Sequence, residues 1–206
     1  MIKRIFGALL AAALIGLGSV ATAASAPDAL VKSVMDDVLE IVRTDPALKA
    51  GDTSRAVELV EEKVLPHFDF RIMTSLAVGR DWRQATPAQK EKLVAAFRTM
   101  LVRLYSNALT QYRDQTIDFK PLRAGAADTD VLVRTQVLQP GAKAVDIDYA
   151  LEKQGEAWKV YDVIVAGGSL VTNYRNDFRN QILSGGIDGL IASLEAKNAE
   201  LAGAAK

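Results

Sequence analysis

The sequence predicts an α+β domain in which a four-stranded antiparallel sheet packs against a layer of helices. Three observations lead to this prediction. The chain is patterned first as helices, then as a cluster of strands, then as helices again. Between residues 116 and 165, apolar and polar side chains alternate with a period of two, which is typical of strands buried on one face. The links between these strands are short turns, so we expect a meander of hairpins.

The first 23 residues have the three-part pattern of a secretory signal peptide. Lys3 and Arg4 form a basic start, Ile5 to Leu17 is an apolar run, and the small residues Ala21 and Ala23 precede the expected cleavage. The apolar run is shorter than the roughly 20 residues that a membrane-spanning helix needs. We therefore expect export and removal of this segment.

Composition restricts what the remaining domain, residues 24–206, can do. It has one His and no Cys, which removes disulfides, thiol catalysis and thiolate metal sites. Residues 1–23 carry two basic residues and no acidic one, so the domain holds 23 basic residues against 25 acidic ones. Such a near-neutral balance gives no case for nucleic acid as a partner. We expect one soluble domain stabilised by an apolar core.

Helical periodicity predicts the segments on either side of the sheet. Thr86-Pro87-Ala88-Gln89 is the clearest signal, because it combines an N-cap, a proline at the first helical position and a glutamine at the third. Asp69 is placed to cap a short helix, and Gly185-Gly186 predicts a break before the last one. The predicted helices cover residues 28–43, 54–64, 69–78, 87–112, 169–181 and 187–198.

Four strands follow the long helix. In the third, Val145, Ile147 and Tyr149 alternate with Asp146 and Asp148, so the apolar side chains are expected on the buried face. The predicted strands cover residues 116–122, 131–138, 144–151 and 158–165.

Two groups of polar residues have both a chemical and a structural interpretation. His67 would suit a general base oriented by Asp69, but no Ser, Cys or second acid is spaced to complete a site, so a loop histidine beside a helix cap is favoured. Asp146 and Asp148 would suit an acid/base pair or a hard cation. Their position opposite the apolar face favours solvated strand residues, unless the sheet folds into a cone.

The wide apolar faces of the long helices and of the sheet leave two alternatives open. Hydrophobic residues make up 50% of the full chain. They could form a well-packed core, or they could enclose a cavity for an apolar ligand. Residue spacing does not separate the two.

Two segments carry a family resemblance. The first runs from Phe68-Asp69-Phe70 through Val78-Gly79-Arg80-Asp81-Trp82-Arg83 to Thr86-Pro87-Ala88-Gln89 and then Phe97-Arg98. The second is Gly168-Ser169-Leu170-Val171-Thr172-Asn173-Tyr174-Arg175-Asn176-Asp177-Phe178. With the export signal and the length, they resemble the MlaC family of periplasmic phospholipid-binding proteins, also called the toluene-tolerance family.

The resemblance implies a non-enzymatic periplasmic carrier, with phospholipid as its cargo and no cofactor. Such a carrier exchanges lipid with an outer-membrane lipoprotein complex and with an inner-membrane ABC transporter complex through its substrate-binding membrane subunit, and so maintains the lipid asymmetry of the outer membrane. The acyl chains would enter an apolar pocket between the helices and a strongly twisted sheet, and we expect a monomer. The side chains that we expect to line this pocket are Leu76, Phe97, Met100, Leu101, Leu104, Val133, Ile147, Tyr149, Val163 and Leu170. The alternative is a small cone-fold enzyme of the isomerase or dehydratase type, with His67 or an inward-facing aspartate as its base.

Overall fold

A computed structural model of the chain describes residues 26–112, 114–125 and 127–204. The predicted signal peptide of residues 1–23 lies outside these residues. In the described ranges, none of the helices combines the length and the apolar character needed to cross a membrane.

Helices surround one face of a single sheet. In chain order the α-helices are α1 (Pro27–Thr44), α2 (Pro46–Lys49), α3 (Thr53–Leu59), α4 (Phe70–Val78), α5 (Pro87–Tyr105), α6 (Asn107–Thr110) and α7 (Leu170–Ala204). A π-helical turn (Val60–Val64) and a 3-10 turn (Leu65–His67) join α3 to α4, and another 3-10 turn (Gly79–Arg83) follows α4. The strands are β1 (Thr116–Phe119), β2 (Asp130–Leu138), β3 (Val145–Gln154), β4 (Ala157–Val165) and β5 (Gly168–Ser169).

The strands pair in the order β1-β2-β3-β4-β5 and every pair is antiparallel, so the α+β fold and the meander are confirmed. The four predicted strands are present, and the fifth adds only Gly168 and Ser169, which pair with Val165 and Ile164. This extra strand forms because Ala166 and Gly167 adopt φ values of 50° and 83°, which turn the chain back alongside β4.

A β-bulge in β4 determines which side chains of that strand face the helices. The register passes from Ala150 opposite Asp162 to Leu151 opposite Val160, so Tyr161 is an extra residue on β4. An extra residue shifts the alternation of faces by one position. Val160 and Val163, three residues apart, consequently both lie on the side of the sheet that faces the helices.

Most helix boundaries follow the local signals. Thr86 and Gln89 form the predicted capping box, and the carboxylate of Asp69 accepts a hydrogen bond from the backbone N–H of Ile72. The predicted helix over residues 87–112 is present as α5 and α6 up to Thr110, with one interruption at Ser106, whose φ of −61° and ψ of −30° remain helical. Ser106 and Asn107 are weak helix formers, and the Asn107 side chain accepts a hydrogen bond from Thr110.

Three apolar clusters build the core. The first joins α4, α5 and α7, where Phe97 packs edge-on against Tyr174 and Phe178 at centroid distances of 5.1 Å. The second joins α1 to the inner face of the sheet, and the third joins α1 to α2 and α3. The space between these clusters is the site described next.

Candidate functional site

A cavity of about 640 Å³ lies between the inner face of the sheet and helices α1, α5 and α6. Members of all three core clusters contribute to its wall, including Val31, Val38 and Met73. The apolar faces of the helices and strands therefore enclose a space that their own side chains do not fill. This separates the two alternatives that residue spacing left open, in favour of a cavity.

Helix α1 provides one side of the cavity. Its wall residues recur at helical spacing, as one face of an amphipathic helix does. They are Leu30, Val31, Val34, Met35, Val38 and Leu39. Sequence reasoning identified the apolar face of this helix but did not assign it to the site, because a face turned to a cavity and a face turned to a core have the same periodicity.

The sheet provides the opposite side. Cross-strand neighbours lie together in the wall, since Ile147 pairs with Val165 and Tyr149 pairs with Val163. The strand residues in the wall are Ile117, Val137, Ile147, Tyr149, Val160, Val163 and Val165. The wall thus spans four strands and depends on the bulge in β4, which keeps the last three on one face.

Of the ten side chains expected to line the pocket, the structure brings five to the cavity wall: Leu101, Ile147, Tyr149, Val163 and Leu170. The other five lie elsewhere. Phe97 and Met100 are buried in the cluster between α5 and α7, Leu76 packs against that cluster, and Val133 is buried in the cluster of the sheet.

Leu104 is 37% exposed and lies outside the cavity wall. The apolar stripe of α5 meets different surroundings along its length. Its C-terminal turns direct Leu101 and Tyr105 toward the cavity, whereas Phe97, one turn before Leu101, is covered by α7. One part of the broad apolar stripe of this helix therefore packs in the core, and another part lines the cavity.

Most of the polar side chains in the cavity wall come from one stretch of the chain. Five of the wall residues that carry side-chain N or O atoms belong to a single stretch of chain, between residues 105 and 115: Tyr105, Ser106, Gln111, Tyr112 and Gln115. The hydroxyl oxygen of Ser106 is buried and has no hydrogen-bond partner among the described residues. Two further polar side chains, His67 and Tyr149, stand apart from this stretch, and burial raises the pKa of the Tyr149 hydroxyl.

The histidine lines the cavity without a carboxylate to orient it. Burial lowers the pKa of His67, and the positive charge of Lys159 lowers it further, so the neutral imidazole is favoured. Asp69 instead caps α4 and accepts a hydrogen bond of 2.6 Å from the side chain of Gln154. The described residues contain no hydrogen bond to the His67 ring. This agrees with the favoured interpretation of His67 as a histidine beside a helix cap that is not oriented as a general base.

The two strand aspartates lie on the face opposite Ile147 and Tyr149, as predicted. Asp146 is exposed and accepts a hydrogen bond of 2.7 Å from Gln136, and Asp148 is half-buried. In the described part of the chain, no three His, Cys, Asp or Glu side chains group as a metal site would require. The cavity is therefore built to enclose apolar groups, and most of its polar side chains belong to the stretch between residues 105 and 115.

Comparison with known proteins agrees with this geometry. A sequence profile described as MlaC protein matches residues 32–196. The chain is 22% identical over 178 residues to the intermembrane phospholipid transport system binding protein MlaC of Haemophilus influenzae, over 85% of this chain and 83% of the relative. It is 30% identical over 117 residues to the toluene tolerance protein ttg2D of Pseudomonas putida, over 57% of this chain and 54% of the relative.

A solved structure has the same fold and a higher sequence identity to this chain than these two relatives. The phospholipid-binding protein from Ralstonia solanacearum, determined in complex with a phospholipid at 1.53 Å resolution, has a TM-score of 0.80 to this chain. The two sequences are 42% identical, and the match covers 85% of this chain and 98% of the other. The profile match extends over most of the sequence, so the chain belongs to the MlaC family.

Proposed function

We propose that this protein is a soluble periplasmic carrier that holds the acyl chains of a phospholipid in the cavity between the sheet and α1. The observation that carries the proposal is the apolar wall of that cavity, with its volume of about 640 Å³. The Ralstonia solanacearum relative, which is 42% identical, was solved with a phospholipid bound.

The physical need for such a cavity follows from the cost of exposing acyl chains to water. Each buried methylene contributes about 0.8 kcal/mol, so two acyl chains with on the order of thirty methylenes would cost roughly 20 kcal/mol or more in water. A carrier has to offer surroundings of similar apolar quality to the bilayer. It also has to release the lipid again, which a wall of aliphatic side chains with few fixed polar contacts permits.

The acyl-chain contacts that we propose combine part of the sequence-based set with α1. From that set, Leu101, Ile147, Tyr149, Val163 and Leu170 lie in the wall. Opposite them, the α1 face from Leu30 to Leu39 supplies contacts that the sequence-based set lacked. Leu76, Phe97, Met100, Leu104 and Val133 lie outside the wall and are not included.

The carrier would exchange its lipid with an outer-membrane lipoprotein complex and an inner-membrane ABC transporter complex, and thereby maintain outer-membrane lipid asymmetry. Support comes from the Haemophilus influenzae relative, named as a binding protein of an intermembrane phospholipid transport system. The signal-peptide pattern of residues 1–23 supports a periplasmic location. The proposed role requires no chemical step, and it gives His67 no function as a base.

Native mass spectrometry of protein exported and purified from bacteria tests the proposal. We expect the wild-type protein to carry a phospholipid. The Ile147→Trp variant should lose most of it, because the larger ring would occupy space inside the cavity. Leu104→Trp is the matched control, since this exposed residue lies outside the wall and the same ring there should leave lipid content unchanged.

Circular dichroism and the thermal midpoint of each variant establish that it is folded. Wild-type protein without lipid would contradict the proposal. A folded Ile147→Trp variant with as much lipid as the Leu104→Trp control would show that this part of the cavity does not hold the acyl chains.

A further inference from the structure

A second groove adjoins the cavity. It has a volume of about 560 Å³ and lies between α1 and β1. Leu39 and Ile117 line both the groove and the cavity, so the two spaces are neighbours at these side chains. The groove differs from the cavity in chemistry, because one face of α1 brings four charged side chains to it: Lys32, Asp36, Glu40 and Arg43.

Two of these charges neutralise each other and two do not. The ammonium of Lys32 is 2.6 Å from the carboxylate of Asp36. Within the described residues, Arg43 has no ion pair with a carboxylate, and the carboxylate of Glu40 has neither an ion pair nor a hydrogen bond. Residues three apart on a helix lie side by side. One guanidinium and one carboxylate are therefore presented together on the groove without being paired to each other.

The position of Arg43 connects the groove to the polar stretch of the cavity wall. Its guanidinium donates a hydrogen bond of 2.7 Å to the hydroxyl of Tyr112 and lies 5.6 Å from the centre of that ring. Tyr112 belongs to the polar stretch of the cavity wall between residues 105 and 115. A ligand with apolar chains would place its charged end here, because an unpaired charge against the apolar parts of the wall is costly.

We infer that the groove between α1 and β1 binds the headgroup of the carried phospholipid, with the phosphodiester on Arg43 and a cationic amine on Glu40. This inference rests on the proposed function. A guanidinium matches phosphate oxygens in a forked geometry, and the contact with Tyr112 restrains its orientation.

The charge balance of the groove adds a preference between headgroups. Two cations and two anions line it, so it complements a zwitterionic phosphoethanolamine-type headgroup. A net-negative headgroup such as phosphoglycerol would gain from Arg43 but would have no cationic group to place on Glu40. The groove therefore selects for the amine-bearing lipid, although all of these side chains are exposed and each contributes modestly.

Competition between two lipids tests the inference. The exported protein is equilibrated with a limiting amount of vesicles that contain equal amounts of phosphatidylethanolamine and phosphatidylglycerol with identical acyl chains. Native mass spectrometry then gives the bound fraction and the ratio of the two lipids. We expect wild type to be enriched in phosphatidylethanolamine, Glu40→Gln to lower that ratio about threefold, and Arg43→Gln to lower the bound fraction about three- to tenfold.

The matched controls replace one glutamate and one arginine outside the groove and the cavity. Glu195→Gln and Arg179→Gln change exposed side chains of α7 that line neither space, and both should behave as wild type. Since Arg43→Gln also removes a contact with Tyr112, its thermal midpoint is measured as well. Glu40→Gln keeps the test independent of folding, because that carboxylate has no partner among the described residues.

The outcomes separate this inference from the proposed function. Wild-type protein that takes up neither lipid would overturn the carrier itself. Wild-type protein that carries lipid, with an unchanged lipid ratio in Glu40→Gln and an unchanged bound fraction in folded Arg43→Gln, would overturn the headgroup site and leave the acyl-chain cavity intact.

Discussion

The bend in α7 gives a prediction whose size follows from one pair of backbone angles. Gly186 has a φ of 66° and a ψ of −169°, inside a helix that continues on both sides. This region of backbone space is essentially restricted to glycine, and holding another residue there costs on the order of 1–3 kcal/mol. We therefore predict that Gly186→Ala lowers the free energy of unfolding by about 1–3 kcal/mol.

The surroundings of Gly186 show that this cost comes from the backbone alone. A Cβ atom placed on it would meet nothing within 4 Å, so no clash adds to the penalty. Straightening the helix would not relieve the strain cheaply. Leu190, Ile191 and Leu194, which follow the bend, are at most 5% exposed in the cluster with α5, and removing one such side chain from the core costs roughly 1.5–3 kcal/mol.

The neighbouring glycine is the matched control. A Cβ on Gly185 would also meet nothing within 4 Å, but Gly185 does not have a positive φ. Alanine is a better helix former than glycine by about 0.5–1 kcal/mol, so Gly185→Ala should be neutral or stabilising by up to that amount. The two variants add the same methyl group one residue apart, and only Gly186→Ala is predicted to lower the free energy of unfolding.

Urea denaturation followed by circular dichroism measures both free energies of unfolding. If Gly186→Ala and Gly185→Ala agree within about 0.5 kcal/mol, the bend does not hold strain and the reasoning from the backbone angles is refuted. A changed slope with urea concentration in Gly186→Ala alone would indicate instead that the part of α7 after the bend has come away from the core.

Two further predictions concern His67 and Asp69. Burial and then the charge of Lys159 lower the pKa of His67 below its ordinary value of 6.5, so the unfolded chain binds the proton more readily. The thermal midpoint of wild type should accordingly fall more than that of His67→Gln as the pH drops from about 7 to below about 6, and superimposable pH profiles would contradict this. Asp69→Ala removes the bonds of 2.8 Å from Ile72 and 2.6 Å from Gln154, and should lower the urea-derived free energy of unfolding by about 1–3 kcal/mol. Asp69→Asn can still cap the helix and should lose less, so an equal loss in both variants would argue against the cap.

Local sequence signals predicted the elements of this fold well, since each signal involves groups only a few residues apart. The capping box at Thr86 depends on backbone and side-chain groups three residues apart. The alternation along β2 and β3 depends on which face of each strand is exposed to solvent. The interruption at Ser106 between α5 and α6 was not predicted, because the apolar stripe continues past it and periodicity alone does not show a local break.

The assignment of side chains to the cavity depended on tertiary structure. Phe97 and Leu101 lie one turn apart on the same apolar stripe, yet α7 covers the first and the second faces the cavity. The bulge at Tyr161 brings Val160 and Val163 to one face of the sheet. The alternation of apolar and polar residues along β4 does not predict this bulge. The sequence by itself determined the α+β class, the meander and the apolar faces, because those follow from local periodicity. Only the tertiary structure decided which apolar faces meet and which stay apart around an open space, because that depends on the relative placement of elements distant in the chain.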